Sequence, residues 1–102
     1  MKVEKQRPYR FTEAVSEELN VAFRNLASEI MKEGALSSKD KSLIAVACAV
    51  AIKCEYCVKS HKENALKAGA TMDEIKEAVA VASQVRLGSG LTFASFVLDE
   101  HE

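Results

Sequence analysis

Two cysteines and one histidine lie close together in the stretch KCEYCVKSH, residues 53–61. On an α-helix, residues three and four apart are neighbours, so Cys54 lies beside Cys57 and Cys57 lies beside His61. Cysteine reacts as its thiolate, and an ordinary thiol pKa of about 8.5 leaves little thiolate at neutral pH unless a base, a cation or a helix N-terminus is near. The stretch offers all three. It therefore predicts a redox site in which His61 accepts the proton of Cys57, and Cys54 then forms a disulfide with oxidised Cys57.

Two other interpretations of this stretch stay open. The cysteines can be small core residues, because free cysteine is among the most buried residue types. A zinc site is less favoured, because Cys54 and His61 are about 10 Å apart along a helix, whereas ligands of one zinc lie within about 4 Å of each other. The only other histidine is His101, near the C-terminus. We predict no metal and no cofactor, and we expect Cys48, which has no base nearby in sequence, to be a packing residue.

Helical periodicity of the apolar residues predicts an all-α fold that positions this stretch at the start of a helix. Ser37 with Asp40, and Thr71 with Glu74, have the spacing of helix N-caps. The predicted helices run from Thr12 to Met31, from about Ser38 to Lys53, from about Cys54 to Ala68, from Thr71 to Gly88, and from Leu91 to about Glu100. Gly34, Gly69 and Gly88 are predicted to end helices, and Gly88–Gly90 to form a short connection.

The second predicted helix has an alternative interpretation as a strand. Its apolar run, LIAVACAVAI at residues 43–52, also alternates with period two, and a thioredoxin has such a strand before its C-x-x-C motif. Alanine is the best helix former, the run is long for a strand, and no other segment alternates convincingly to pair with it. The only proline is Pro8, so the proline that follows the motif in thioredoxins is missing. We therefore expect a buried helix.

Composition limits the class of protein. The chain has 102 residues and predicts one domain, residues 1–102, in which residues 1–11 form a polar N-terminal arm. The 14 Lys and Arg nearly balance the 15 Asp and Glu, so we expect no nucleic-acid partner and no binding to anionic membranes. No apolar run approaches the roughly 20 residues of a membrane span, and no secretion signal is recognisable. The expected location is cytoplasmic, where three cysteines argue against a disulfide framework.

Two of the predicted helices are apolar on most sides, Leu43–Ile52 and Leu91–Leu98. A chain of this size cannot surround both of them with its remaining apolar surface. We therefore expect a homo-oligomer.

The segment Leu36–Val79 resembles the core of the carboxymuconolactone decarboxylase and alkylhydroperoxidase AhpD-like family. Its signature is C-x-x-C-x-x-x-H followed by A-x-x-x-G-A-T-x-x-E-I. The resemblance implies a bundle of about five to six helices that assembles as a trimer or hexamer, with a pocket near the subunit contacts. It also implies that Cys57 is oxidised by peroxide to a sulfenic acid, that Cys54 is the proton donor and resolving partner, and that His61 belongs to the proton relay. Lipoyl-bearing or thioredoxin-like proteins are the reductants it implies.

One position departs from the family pattern. Ser42 stands where the redox branch of the family carries a glutamate, and a serine cannot hold a negative charge at pH 7. The predicted activity is therefore a thiol-dependent peroxidase or a disulfide reductase. The alternatives are a non-catalytic oligomeric or redox-sensing module, or a decarboxylase-like lyase, although the decarboxylase branch typically lacks the cysteine pair.

Overall fold

The computed structural model describes residues 7–100, which form five α-helices and one 3-10 helix and contain no strand. The helices are α1 (Arg7–Val15), α2 (Glu17–Met31), α3 (Ser38–Ala51), α4 (Glu55–Lys67) and α5 (Met72–Ala94), followed by the 3-10 helix Ser95–Leu98. The predicted all-α class with five to six helices is confirmed. Within the described residues, no helix has the length and apolar character that a membrane crossing requires.

Both predicted N-caps are present. The Asp40 N–H donates to Ser37 Oγ at 3.0 Å at the start of α3. At the start of α5, the Glu74 N–H donates to Thr71 Oγ at 3.1 Å, and the Thr71 N–H donates to the Glu74 carboxylate at 2.9 Å. These bonds satisfy backbone donors that have no partner within the helix. The strand alternative for residues 43–52 is excluded, because that run lies within α3.

The first predicted helix is divided in two. Ser16 adopts an extended conformation and caps α2 by accepting the Leu19 N–H, so the chain breaks between α1 and α2. The prediction of one helix from Thr12 was wrong, because Val15 and Leu19 continue the apolar pattern across the break. Residues 7–11, predicted as part of a polar arm, belong to α1. The rest of that arm, residues 1–6, lies outside the described residues.

The predicted stop at Gly88 is also wrong. Helix α5 continues through Gly88 and Gly90 to Ala94, so Gly88–Gly90 is not a connection. A glycine ends a helix readily when it takes the left-handed conformation, and among the glycines only Gly69 has a positive φ, at 97°. Gly88 and Gly90 have helical geometry and act as ordinary helix residues, each at a cost of about 1 kcal/mol relative to alanine.

Helices α3 and α4 end in the same pattern of two backbone hydrogen bonds. One N–H donates to the carbonyl five residues before it, and the N–H of the preceding residue donates to the carbonyl three residues before it. After α3, the Cys54 N–H donates to the Ala49 carbonyl and the Lys53 N–H donates to the Val50 carbonyl, both at 3.1 Å. After α4, Ala70 bonds to Ala65 and Gly69 bonds to Leu66 in the same way. This pattern requires a left-handed residue, which is Gly69 after α4 but a lysine after α3, with φ 58°.

The core is small and lies between α3, α4 and α5. Its fully enclosed members are Val46 from α3, Ala65 from α4, Ala70 and Ile75. Leu43 and Val79 pack around these residues. An ion pair between Lys39 and Glu74, with Nζ and Oε2 2.7 Å apart, joins the first turns of α3 and α5. Helices α1 and α2 pack on each other as a hairpin beside this core.

Large apolar side chains remain exposed along the outer side of α5 and at its C-terminal end. The exposed fraction is 62% for Val81, 65% for Leu91 and 79% for Phe93. On α3, Ile44, Cys48 and Ile52 are exposed at successive positions four residues apart. Helix α3 was expected to be buried, but only the side that carries Ser42, Val46 and Ala49 is buried in the subunit.

Replacing Gly69 tests the left-handed turn after α4. A Cβ at this position would meet no atom within 4 Å, so any loss of stability comes from the backbone conformation. We expect Gly69→Ala to lower the free energy of unfolding by about 1 kcal/mol, measured by urea denaturation. Gly69→Asn is the matched control and should lose less, because asparagine tolerates this conformation better. An alanine variant as stable as the wild type would contradict the account.

Candidate functional site

Cys54 and Cys57 form a disulfide, with their Cα atoms 5.1 Å apart. Cys54 is the N-cap of α4, and Cys57 lies in the first turn of that helix. The Cys57 N–H donates to Cys54 Sγ at 3.2 Å. The Cys54 sulfur therefore occupies the place that a serine or aspartate oxygen usually takes at a helix start.

The backbone around Cys54 is held from the α3 side as well. The Cys54 N–H is bonded to the Ala49 carbonyl of α3, so the last turn of one helix fixes the cap of the next. Lys53 makes this possible by adopting the left-handed conformation, which costs a non-glycine residue of order 1 kcal/mol or more. Lys53 is thus a positioning residue for the cysteine pair.

His61 lies four residues after Cys57 on α4 and is half-buried. Burial lowers the pKa of His61 from its ordinary value of 6.5, because the charged ring loses solvation. At neutral pH the imidazole is therefore uncharged and able to accept a proton. Of the three residues predicted from the sequence, Cys54 and Cys57 are joined by the disulfide at the start of α4, and His61 follows one turn after Cys57, in the middle of that helix.

A cavity of about 260 Å³ lies between α1, α2 and α4. It is lined by two residues of α1, two of α2 and five of α4: Pro8, Tyr9, Phe23, Ala27, Tyr56, Cys57, Ser60, His61 and Asn64. Three of these residues are aromatic, and among the described lining residues there is no carboxylate, lysine or arginine. Cys57 is the cysteine that faces this space, since Cys54 is not part of the described lining.

Helix α1 forms one wall of the cavity and is held there by specific contacts. The Arg7 N–H donates to the Tyr56 hydroxyl at 3.0 Å. Tyr9 packs edge-on against Phe23 with ring centroids 5.5 Å apart, and the Arg24 guanidinium lies 4.0 Å from the Tyr9 ring centre. Tyr56, which lies between the two cysteines in sequence, therefore connects the disulfide loop to α1.

Two further positions behave differently from the motif residues. Ser42 is buried in α3, at 5% exposure, and is not part of the described cavity lining. Cys48 is a free thiol on the exposed side of α3, so within the single subunit it is not the packing residue that the sequence predicts. Among residues 7–100, no three His, Cys, Asp or Glu side chains converge in a way that could hold a metal ion, and His101 lies outside that range.

Sequence reasoning missed the part of the cavity that α1 and α2 contribute. Tyr9, Phe23 and Ala27 are far from the motif in sequence and carry no chemical signature. The sequence predicted a polar arm followed by one long helix, and therefore did not predict the α1–α2 hairpin that places these three residues opposite α4. Lys53 was also missed, because glycine is the usual signal for a left-handed helix end.

The lowered pKa of His61 can be measured directly. The NMR titration of the His61 ring should have a midpoint below 6.5, and His61→Gln assigns the signal. Since the unfolded state binds this proton first, the native state should lose stability as pH falls from about 6.5 through the lower native pKa. Urea denaturation at pH 7.5 and 5.5 measures this loss of unfolding free energy, and the loss should be smaller in His61→Gln than in the wild type. A midpoint at or above 6.5 would contradict the burial of the ring.

Tyr56→Phe tests whether the phenol holds α1 against α4. The variant keeps the ring and loses one hydrogen bond, worth about 1 kcal/mol or less. We expect amide exchange in α1 to become about two- to fivefold faster, with exchange in α3 unchanged. Glu55→Gln is the matched control, because Glu55 is exposed and pairs with Lys59 on the same helix. Unchanged exchange in α1 would mean that other contacts hold the wall.

Comparison with known proteins gives one consistent result. The family model described as the carboxymuconolactone decarboxylase family matches residues 17–100. The chain is 39% identical over 82 residues to an uncharacterized protein in the cox locus of Paracoccus denitrificans, covering 78% of this chain and 74% of that protein. It is 35% identical over 77 residues to an uncharacterized protein of Cupriavidus necator, covering 76% and 68% of the two chains. The crystal structure of a Methanobacterium thermoautotrophicum protein superposes with a TM-score of 0.80 at 41% identity, covering 88% of this chain and 97% of that one. This chain therefore belongs to the carboxymuconolactone decarboxylase family.

Proposed function

We propose that this protein is an AhpD-like thiol-dependent oxidoreductase that reduces a peroxide or a disulfide through Cys54 and Cys57. The observation that carries the proposal is the Cys54–Cys57 disulfide, whose Cys57 borders a cavity together with His61. A reversible disulfide beside a neutral base is what a thiol catalyst needs, because the base generates the attacking thiolate. Family membership supports the fold that this proposal requires.

The proposed oxidation has two steps. His61 accepts the Cys57 proton, and the thiolate attacks one peroxide oxygen. The O–O bond breaks, the departing oxygen takes the proton from His61, and Cys57 becomes a sulfenic acid. Cys54 then attacks Cys57 Sγ, and water leaves as the disulfide forms. One peroxide and two thiols thus give one alcohol, one water molecule and one disulfide. With a disulfide as substrate, thiolate attack gives a mixed disulfide in place of the sulfenic acid.

The proton relay of this protein differs from the one the family resemblance implies. Among the described residues, the cavity lining offers hydroxyl and amide groups and no carboxylate. Ser42, at the family glutamate position, is a buried hydroxyl on α3. His61 therefore works as a neutral base without a charged partner in this proposal. Disulfide exchange makes the smaller demand on such a relay, because its leaving group is a thiolate that needs no proton at the moment of bond breaking.

We also propose a class of reductant and a cellular location for this protein. The family resemblance implies a lipoyl-bearing or thioredoxin-like reductant, and the proposed location is the cytoplasm, as expected from the sequence. The near-neutral charge of the chain, −1, favours neither nucleic acid nor an anionic membrane as partner. A non-catalytic redox-sensing module and a decarboxylase-like lyase are outcomes that the following test separates.

The roles of the cysteines are tested with single variants. We expect the reduced wild type to lose two thiols on reaction with one peroxide, with Cys48 retained. Cys54→Ser should react once and stop as a sulfenic acid on Cys57 that a dimedone probe labels, whereas Cys57→Ser should not react. Thiol titration and peptide mass mapping read out both results.

His61→Gln is the companion variant, and Cys48→Ala is the control that should react as the wild type does. Loss of the base should slow peroxide attack by about 10² to 10⁴-fold. A label on Cys54 in place of Cys57 would reverse the assignment of roles. No loss of thiols in any variant would favour the non-catalytic module, and lactone decarboxylation by Cys57→Ser would favour the lyase.

We also propose that the protein is a homo-oligomer, a trimer or hexamer by resemblance to the family. Within the described residues, Val81, Leu91 and Phe93 of α5 are all more than 60% exposed, and an exposed apolar surface of this kind marks an interaction site. The exposed apolar residues of α5 and the Ile44, Cys48 and Ile52 row of α3 are the surfaces that further copies would cover.

Light scattering at micromolar concentration should give a mass several times 11.1 kDa. Leu91→Glu should lower that mass, because burying an unpaired carboxylate in an apolar interface costs several kcal/mol, about 3 or more. Asn25→Asp, which also adds a carboxylate to an exposed position but on α2, outside the two proposed surfaces, is the matched control for the added charge. A wild-type mass of 11 kDa under these conditions would contradict the proposal.

A further inference from the structure

Resting on the proposed function, we infer that the reducing thiol attacks Cys57 Sγ from within the cavity, and that Cys54 is the sulfur that leaves. Both half-reactions would then take place at one sulfur. The reductant must then reach Cys57 Sγ, and the cavity limits which groups can do so.

The first support is the direction from which each sulfur can be approached. Thiol–disulfide exchange needs the incoming sulfur to approach the attacked one, so access decides which of the two reacts. Cys57 borders the cavity of about 260 Å³, together with His61 and Tyr56, and Cys54 is not among the described residues that line it. A thiol that enters this space therefore meets Cys57.

The second support is the environment of the leaving sulfur. The Cys57 N–H already donates to Cys54 Sγ at 3.2 Å in the oxidised protein. When the S–S bond breaks, this contact becomes a hydrogen bond to a thiolate at the first turn of α4, where the helix dipole also favours negative charge. The nearby Glu55 carboxylate opposes this charge less than a free carboxylate would, because Lys59 Nζ lies 2.7 Å from it. Of two sulfurs, the better-stabilised thiolate leaves faster.

The reaction balances with a dithiol, or two monothiols, as reductant. The first thiolate attacks Cys57 Sγ, the Cys54–Cys57 bond breaks, and the electron pair leaves on Cys54, giving a mixed disulfide on Cys57. A second reductant thiolate attacks the reductant sulfur of that mixed disulfide and releases Cys57 as thiolate. The two protons given up by the reductant thiols end on the two protein thiols. The reductant becomes a disulfide, and the protein regains both thiols.

This assignment also limits the partner. Since α1 and α2 wall the cavity, a reducing sulfur on a narrow, flexible group reaches Cys57 more readily than a thiol fixed on a broad protein surface, so the lipoyl-bearing reductant is favoured over the thioredoxin-like one. Substrate and reductant use the same space in turn, so each should inhibit the reaction of the other at high concentration.

Mass mapping of the first adduct tests the assignment. The oxidised protein is mixed with excess glutathione, quenched in acid within seconds, and cleaved after Lys53 and Lys59 to give one peptide with both cysteines. Fragmentation should locate glutathione on Cys57 in preference to Cys54 by about tenfold or more. A preference for Cys54 would overturn the inference while leaving the proposed function standing.

A cavity-filling variant gives an independent measurement. Ala27→Leu adds three carbons to the cavity wall from α2, and we expect it to slow reduction of the disulfide by glutathione by about tenfold, because it obstructs approach to the reacting atom. Ala22→Leu on the exposed side of α2 is the matched control and should react as the wild type does. Equal rates in both variants, with helix content unchanged, would overturn the inference. A disulfide that glutathione reduces only in urea would overturn the inference and the proposed function together.

Discussion

The backbone of Cys54 joins the end of one helix to the start of the next, and the site depends on this junction. Its N–H bonds to the Ala49 carbonyl and closes α3, while its sulfur accepts the Cys57 N–H and opens α4. Because both bonds belong to one residue, there is no flexible linker between the helices. This turn requires Lys53 to adopt the left-handed conformation, which is unfavourable for a residue other than glycine. The packing of Val46 against Ala65 holds α3 and α4 in the arrangement that makes the turn necessary.

The hydrophobic core of the subunit is small because its helices pack through small residues. Alanine side chains at the contacts between α3, α4 and α5 allow these helices to approach closely, but few large side chains are buried between them. A chain with such a core has limited stability by itself, and its larger apolar residues point outward along α5 and α3. Stability and the proposed assembly are therefore linked in this protein, and the cysteine pair lies at the junction of α3 and α4, beside the core.

The chemistry of the cavity follows from what its walls lack. Burial keeps His61 neutral by lowering its pKa, and the described lining has no carboxylate to stabilise the charged ring. The histidine can take a proton briefly and is poorly suited to keeping it. In the function proposed above, disulfide exchange makes fewer demands on such a base than peroxide reduction does, because the leaving thiolate is stabilised by a helix N-terminus.

The sequence by itself determined the helical class, the capping residues Ser37 and Thr71, and the clustering of Cys54, Cys57 and His61, because each of these depends on contacts within four residues. Tertiary structure decided the rest. The apolar period could not show the break at Ser16, since a break leaves the pattern in phase, and glycines within α5 could not be told from a helix end, since only backbone conformation distinguishes them. Tyr9, Phe23 and Ala27 line the cavity together with Cys57 because the α1–α2 hairpin lies opposite α4. Contacts between residues distant in sequence carry no spacing rule, so the cavity and the exposure of Cys48 were decided only by the fold.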